Sequence, residues 1–454
     1  MKKEELKEES NRFFFFFYKN YYKNGYFLFI YRNKTVYIDI KMQLVEQHII
    51  KDNDKYYKEC DELCFKTKNL YNSCLYILRQ EWIKNKVNVL SKLYHLIKTS
   101  KEYKELPAKV SSSVIIMINL NFKSFFKALE SYNKYPHLFK ARPRLPRYLD
   151  KIDGRFITSY TNQAISKKVF KKTNKIKLSQ SNIEFKTKID NFEIIDCVRI
   201  VPKIGYYVVE LVYTIEDTPK LENNNKYMAI DLGINNLATL TSNDINFNPM
   251  IINGKPLKSM NQFYNKKQAE ISSVLEIRNN SKKSKKLNKL ALKRKNKVDD
   301  YLHKSSKKIV EILKLNKINT LVIGKNDNWK QEVDLSKKTN QNFVSIPHSR
   351  FIDMLKYKCE RNGINYIINE ESYTSKASFI NLDFIPTYKK GDNTKYEFSG
   401  YRESRGIYKI KGSDKKINAD VNGSYNILRK AIPNVFADGI EGLGVVPSII
   451  KIEK

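Results

Sequence analysis

Hydrophobic and polar positions change their spacing several times along the chain. From Val36 to Ile50, "VYIDIKMQLVEQHII" alternates and predicts one or two strands. Residues 54–82 bring Leu63, Leu70, Cys74, Ile77 and Leu78 to or near one helical face, and helical spacing returns at 110–132. The segment "FKARPRLPRY" (139–148) is basic and broken by Pro143 and Pro146, which predicts a linker lying along phosphates. From 155 to 215 the pattern is strand-rich, and the polar stretch 216–226 ends this half. The second half predicts strands at 227–232, 236–241 and 249–253 and a long helical region at 259–315. A strand at 318–324, a helix at 349–362, a strand at 364–369 and a last helix beginning at Asp420 follow.

That order is the order of the ribonuclease H-like fold, although many α/β folds share parts of it. Phosphodiester hydrolysis on such a fold needs carboxylates gathered from separate strands to hold Mg²⁺ or Mn²⁺. Asp231, in "YMAIDLGINNLATL", ends a strand bound for the core. Taken alone, an aspartate before Gly233 is more commonly a turn residue. Asp420, in "INADVNGSYNILRKA", falls in the first turn of a helix with Val421, Tyr425 and Leu428 as its apolar stripe. A carboxylate there is also favoured merely as a cap. Together the two aspartates make a candidate metal pair. The strand at 318–324 ends "LVIGKND", with Gly324 where a third acid would point inward and Asp327 past the strand. The next strand offers Glu370 and Glu371. Alternation sends one toward the metals and the other away, and leaves open which.

Charge narrows the partner. Lys and Arg total 84 against 48 Asp and Glu, for a net charge of +36, and this excess points to a polyanion. No uncharged apolar run approaches the ~20 residues of a spanning helix, so nucleic acid is expected and a membrane is not. Residues 281–297 hold nine basic residues and no acidic one. Their mutual repulsion favours a polyanion beside Lys282, Lys283, Lys285, Lys286, Lys293, Arg294 and Lys295. Arg142, Arg144 and Arg147 of the 139–148 linker are further candidates for phosphate contact. The five cysteines are odd in number and scattered. Cys60 and Cys64 fit a helix face better than a zinc site, and an intracellular, reduced chain is expected. Residues 1–41 read as a disordered extension or as over-extended translation, with Met42 the natural start.

From about Met42 to Pro433 the chain resembles TnpB, the RNA-guided nuclease of insertion sequences, and its Fanzor relatives. The resemblance is carried in order by "DELCFKTKNLYN", "LPAKVS", "RPRLPRY", "YYVVELVY", "AIDLGINNLATLTS", "NQNFVSIPHSRFIDMLKYKCE", "ESYTSKASF" and "INADVNGSYNILRKA", among others. It implies an α/β plus β architecture. A RuvC nuclease domain of ribonuclease H-like fold (221–371 and 419–433) would be joined to a wedge-like β-barrel (42–53 and 137–220) carrying a helical recognition insertion (54–136). Residues 372–418 would be a target-nucleic-acid-binding insertion, and 434–454 a tail. It also implies a guide RNA from the element's own end, a double-stranded DNA target and a monomeric protein in the complex. The location would be the nucleus in a eukaryotic host and the cytoplasm or nucleoid in a prokaryotic one.

Position by position, Asp231 and Asp420 match the first and last RuvC aspartates. Common relatives close the strand equivalent to "LVIG" with glutamate. One branch has it relocated to the place of Glu370 and Glu371. The 372–418 segment lacks the two cysteine pairs of many relatives, so no zinc is expected. Asn69, Asn72, Lys123 and Ser124 are candidates for reading a short motif beside the target. A cleavage-deficient RNA-guided DNA-binding protein or transposition accessory factor is the second reading, motivated by Gly324. A DNA-joining transposase ranks third.

Overall fold

A computed structural model of the chain describes residues 22–23, 26–31, 34–39, 41–83, 89–279, 284–325, 346–388, 394–404 and 406–452. The chain divides into two compact units, 41–216 and 217–454, the latter grouped with the described strands that precede residue 40. Where the sequence suggests a disordered extension, the backbone forms strands at Tyr22–Lys23, Tyr26–Tyr31 and Lys34–Asp39, paired antiparallel in that order. Aromatic and β-branched runs favour this extended pairing.

The unit 41–216 is built on β1 (Lys41–Lys51), α1 (Tyr57–Ile83), α2 (Val89–Ile97), α3 (Ala108–Lys134), β2 (Thr158–Thr161), β3 (Ile195–Lys203) and β4 (Tyr206–Glu216). The sheet is antiparallel in the order β1-β4-β3-β2, and a separate hairpin joins Lys175–Lys177 to Glu184–Lys186. The ladder among the described residues is therefore open rather than a closed barrel. Helix α1 buries Cys60, Leu63, Cys64, Leu70, Tyr71, Cys74, Leu75 and Leu78, a stripe at helical spacing. Burial pushes the Cys60 and Cys64 thiols up to about 12, as it does for thiols held in a core.

The second unit centres on a six-stranded mixed sheet. Its elements are β5 (Tyr227–Leu232), β6 (Asn236–Ser242), β7 (Met250–Asn253), α4 (Lys255–Asn279), α5 (Lys285–Leu315), β8 (Thr320–Gly324), α6 (His348–Glu360) and β9 (Asn365–Asn369). A small antiparallel sheet follows, β10 (Gly400–Ser404), β11 (Ile407–Ile410) and β12 (Lys416–Asn418), then α7 (Ala419–Ala431) and β13 (Ser448–Ile450). The large sheet runs β9-β8-β5-β6-β7-β13. The hairpin β5-β6-β7 is antiparallel and β8, β9 and β13 join it in parallel, so β5 lies well inside the sheet. The long helical region of the sequence is two helices. Ser284 caps the second by accepting from the Leu287 N–H.

The tail is part of the fold. Phe436, Ile440, Leu443 and Val445 pack on the cluster around Tyr425 and Phe379, whose rings stack 4.2 Å apart. The Tyr425 hydroxyl donates to the Gly444 carbonyl at 2.9 Å, and β13 then pairs with β7.

Candidate metal centre

Asp231 is the fifth residue of β5, paired across the ladder with Thr239 of β6. Met228, Ala229, Ile230 and Leu232 around it are buried, so the carboxylate is carried by a strand locked into the core and not by a turn. Helix α7 crosses this part of the sheet. Its Ser424 hydroxyl is shared with Thr241 at 2.9 Å and lies near the Ala229 and Thr239 carbonyls, which satisfies a fully buried polar group. At the neighbouring Gly423 a Cβ would come within 2.8 Å of Asp231 Oδ2. The helix can lie this close over the carboxylate only because that side chain is missing.

Asp420 stands in the first turn of α7, but it is not the cap. That part falls to Asn418, whose side-chain oxygen accepts from the Asp420 and Val421 N–H groups at 3.0 and 3.1 Å. The Asp420 carboxylate instead accepts from Asn236 at 2.6 Å and from Arg402 at 3.1 Å. Asp231, Asn236, Thr239, Arg402 and Asp420 line one open cleft of about 770 Å³.

The two glutamates after β9 part company. Glu370 accepts from the Ser372 N–H at 2.7 Å and from the Ser372 hydroxyl, and pairs with Lys430 near the end of α7. Glu371 turns the other way. A Cβ added at Gly324 would lie 2.6 Å from Glu371 Oε2 and 2.5 Å from Ile427 Cδ1. The space a side chain at 324 would fill is thus already taken by the Glu371 carboxylate.

The electrostatics tie the three acids together. Desolvation holds Asp231 well above the usual carboxylate range, and the charges of Glu371 and Asp420 raise it further against the pull of Arg402. Glu371 is pushed up to about 7 by burial first and Glu370 second, with Lys430 opposing. The set is all oxygen, the donor chemistry of Mg²⁺ or Mn²⁺. As placed, Asp420 is occupied by Arg402 and Asn236. Among the described residues no three His, Cys, Asp or Glu side chains stand as a ready metal-binding group.

The basic candidates divide. Lys285, Lys286 and Lys293 are exposed on α5, whereas Arg294 donates to Asn261 at 2.7 Å and lies over the Tyr264 ring. Lys295 pairs with Asp299, which also takes Arg350. Lys282 and Lys283, like Asp327, lie outside the described residues. In the other unit Arg142, Arg144 and Arg147 are exposed on an extended strap. That strap is held by Arg79, donating to the Pro146 carbonyl at 2.6 Å, and by Asn72, which bonds both the N–H and the carbonyl of Leu149. The amide of Asn72 is therefore committed to the backbone. Asn69 is half-buried, and Lys123 and Ser124 are exposed on α3.

Sequence reasoning passed over Asn236, Arg402 and Lys430. Arg402 carries no local signal to separate it from Arg405, and each partner of Asn236 and Lys430 is far away along the chain.

Residues 210–330 match a family model described as "Probable transposase", and residues 348–427 match one described as "Cas12f1-like, TNB domain". No curated protein matches the chain. Among solved structures, the "Cryo-EM structure of the Cas12f1-sgRNA-target DNA complex" is similar at 16% identity and a TM-score of 0.34, covering 85% of this chain and 98% of that one. The "Cryo-EM structure of CRISPR-Cas12f Ternary Complex" is similar at 15% identity and a TM-score of 0.32, covering 83% and 81%.

Proposed function

We propose that this chain is an RNA-guided DNA endonuclease of the RuvC type, in which Asp231, Glu371 and Asp420 hold Mg²⁺ or Mn²⁺. The observation that carries this reading is that Asp231, at the end of β5, feels the charges of two further carboxylates, Glu371 after β9 and Asp420 in the first turn of α7. Desolvation and the charges of Glu371 and Asp420 all disfavour a charged Asp231, a cost that a bound cation would offset, and such groups concentrate at functional sites. Bound there, the metal would activate water and stabilise the leaving oxygen. The residues around it have separate tasks. Asn236 and Arg402 hold the Asp420 carboxylate in the cleft, and Gly423 and Gly324 leave room for the acids above the sheet.

The two family matches support this reading, as does the net charge of +36. Guide and target would lie along the exposed arginines of the strap and the exposed lysines of α5. The guide's base pairing would read sequence, and the protein a short flanking motif. Two tests address it. RNA that co-purifies with the chain should be a single species with a constant scaffold and a variable end; bulk cellular RNA would argue against guidance. Asp231→Ala should abolish metal-dependent cutting of a plasmid matching that variable end while RNA retention is unchanged. Cutting that survives the substitution would sink the assignment.

Gly324 favours a second reading, an RNA-guided DNA-binding protein that does not cut. The placement of Glu371 over Gly324 supplies a carboxylate at that point and ranks this reading second. Wild-type complex that binds the matching plasmid in Mg²⁺ and leaves it intact would reverse the order.

A further inference from the structure

The face that α7 turns to the sheet has a regular pattern. Asp420, Gly423, Ile427 and Lys430 recur at i, i+3, i+7 and i+10, the spacing of one helical stripe. Each meets the site in turn: Asp420 lines the cleft, Gly423 lies over Asp231, Ile427 abuts Gly324, and Lys430 reaches the corner that bears the two glutamates. The helix thus carries one proposed ligand at its start and grips the chain next to another at its end, ~15 Å apart at 1.5 Å per residue.

Lys430 is built for that grip. Its side chain is only 9% exposed. Its ammonium bonds the Glu370 carboxylate, the Ser372 carbonyl at 3.0 Å and the Pro386 carbonyl at 3.0 Å, which uses all three of its donors. Glu370 in turn accepts from the Ser372 N–H, which closes the corner on itself. With Glu370 held by Lys430 and Ser372, it is the Glu371 carboxylate that lies over Gly324.

We infer that Lys430 is a positioning residue: its ion pair with Glu370 selects Glu371 as the carboxylate presented to the site and fixes where that carboxylate lies. The inference rests on the nuclease reading only for the use to which Glu371 is put; the clamp itself is a property of the corner.

The test compares Lys430→Met, Glu370→Gln and the double variant with wild type as full-length chains purified with their RNA. Three readouts are needed. Hydrogen exchange should show the Ser372 and Thr374 amides opening at least about tenfold faster in Lys430→Met, while the β8 amides keep their protection. Mn²⁺ binding should weaken, and cutting of matching plasmid should slow, each by about tenfold to a hundredfold. The double variant should fall no further than either single one, since each breaks the same pair. Unchanged exchange at the corner overturns the inference, as do wild-type cutting by Lys430→Met or losses that multiply in the double variant. Were Lys430→Met to lose β8 protection as well, Glu370→Gln, which keeps an acceptor for Ser372, decides by the same criteria. A wild-type complex that leaves matched DNA intact would count against the nuclease reading alone, and the exchange and Mn²⁺ measurements would still decide the clamp.

Discussion

Gly324 shows how much one missing side chain can settle. A methyl group there would press on Ile427 Cδ1 and on Glu371 Oε2 at once. Gly324→Ala is therefore expected to cost about 1–3 kcal/mol as overpacking and to displace the Glu371 carboxylate. Thermal unfolding and plasmid cutting should fall together; a variant with wild-type melting and wild-type cutting would contradict the geometry. A second residue-scale case lies in the other unit. Asp61 accepts from Arg155 at 2.8 and 2.9 Å and from Tyr207, and these bonds hold its carboxyl below the usual range, with the Arg155 hydrogen bonds the largest cause. Its folded pKa is depressed, so the stabilisation is present above the unfolded pKa of roughly 3.9 and is lost as pH falls through the folded value. Asp61 is about a third exposed, so solvent screening keeps the expected loss in Asp61→Asn near 1 kcal/mol at pH 7. Denaturation of the two proteins should converge as the pH is taken below the unfolded value. A gap that widens with acid would refute the assignment.

The elements were more legible in the sequence than the side chains that finish the site. Strand and helix periods marked β5, β6, β8, α6 and α7 because each buries one face or both in a core, and burial imposes period 2 or 3.6 on any sequence. The separation of α4 from α5 was hidden, because the polar and basic residues between and after them have no apolar rhythm from which to read a boundary. The choice between Glu370 and Glu371 was hidden for a different reason. Alternation says only that they face opposite ways; the side chain that assigns the faces, Lys430, is 60 residues further along. Residues 434–452 also carry more than their loop-like composition suggests. Deleting them strips Phe436, Ile440, Leu443 and Val445 from one core cluster and β13 from the edge of β7. A chain ending at Pro433 should melt at a lower temperature and scatter more light on warming, since a bare strand edge invites pairing with another chain. Equal melting and equal scattering would show the tail to be dispensable.

For the molecule as a whole, charge is the dominant fact. An excess of 36 positive charges at pH 7 makes binding of any nucleic acid steeply dependent on salt. For contacts to six to ten phosphates, affinity should fall on the order of 10³- to 10⁵-fold between 50 and 200 mM salt, which filter binding can follow. A flat response would mean that the basic surface is not the binding surface. Among the described residues no helix is long and apolar enough to cross a membrane.

The close fit of Glu371 against Gly324 also constrains how such a site can change over generations. A glutamate at 324 and a glutamate at 371 would contest one volume, so the two arrangements exclude each other. A lineage moving from one to the other must pass through a crowded form with both or an empty form with neither. A search that scores only the residue closing β8 would count this chain as inactive, whereas one that asks whether a carboxylate reaches that point in space would not.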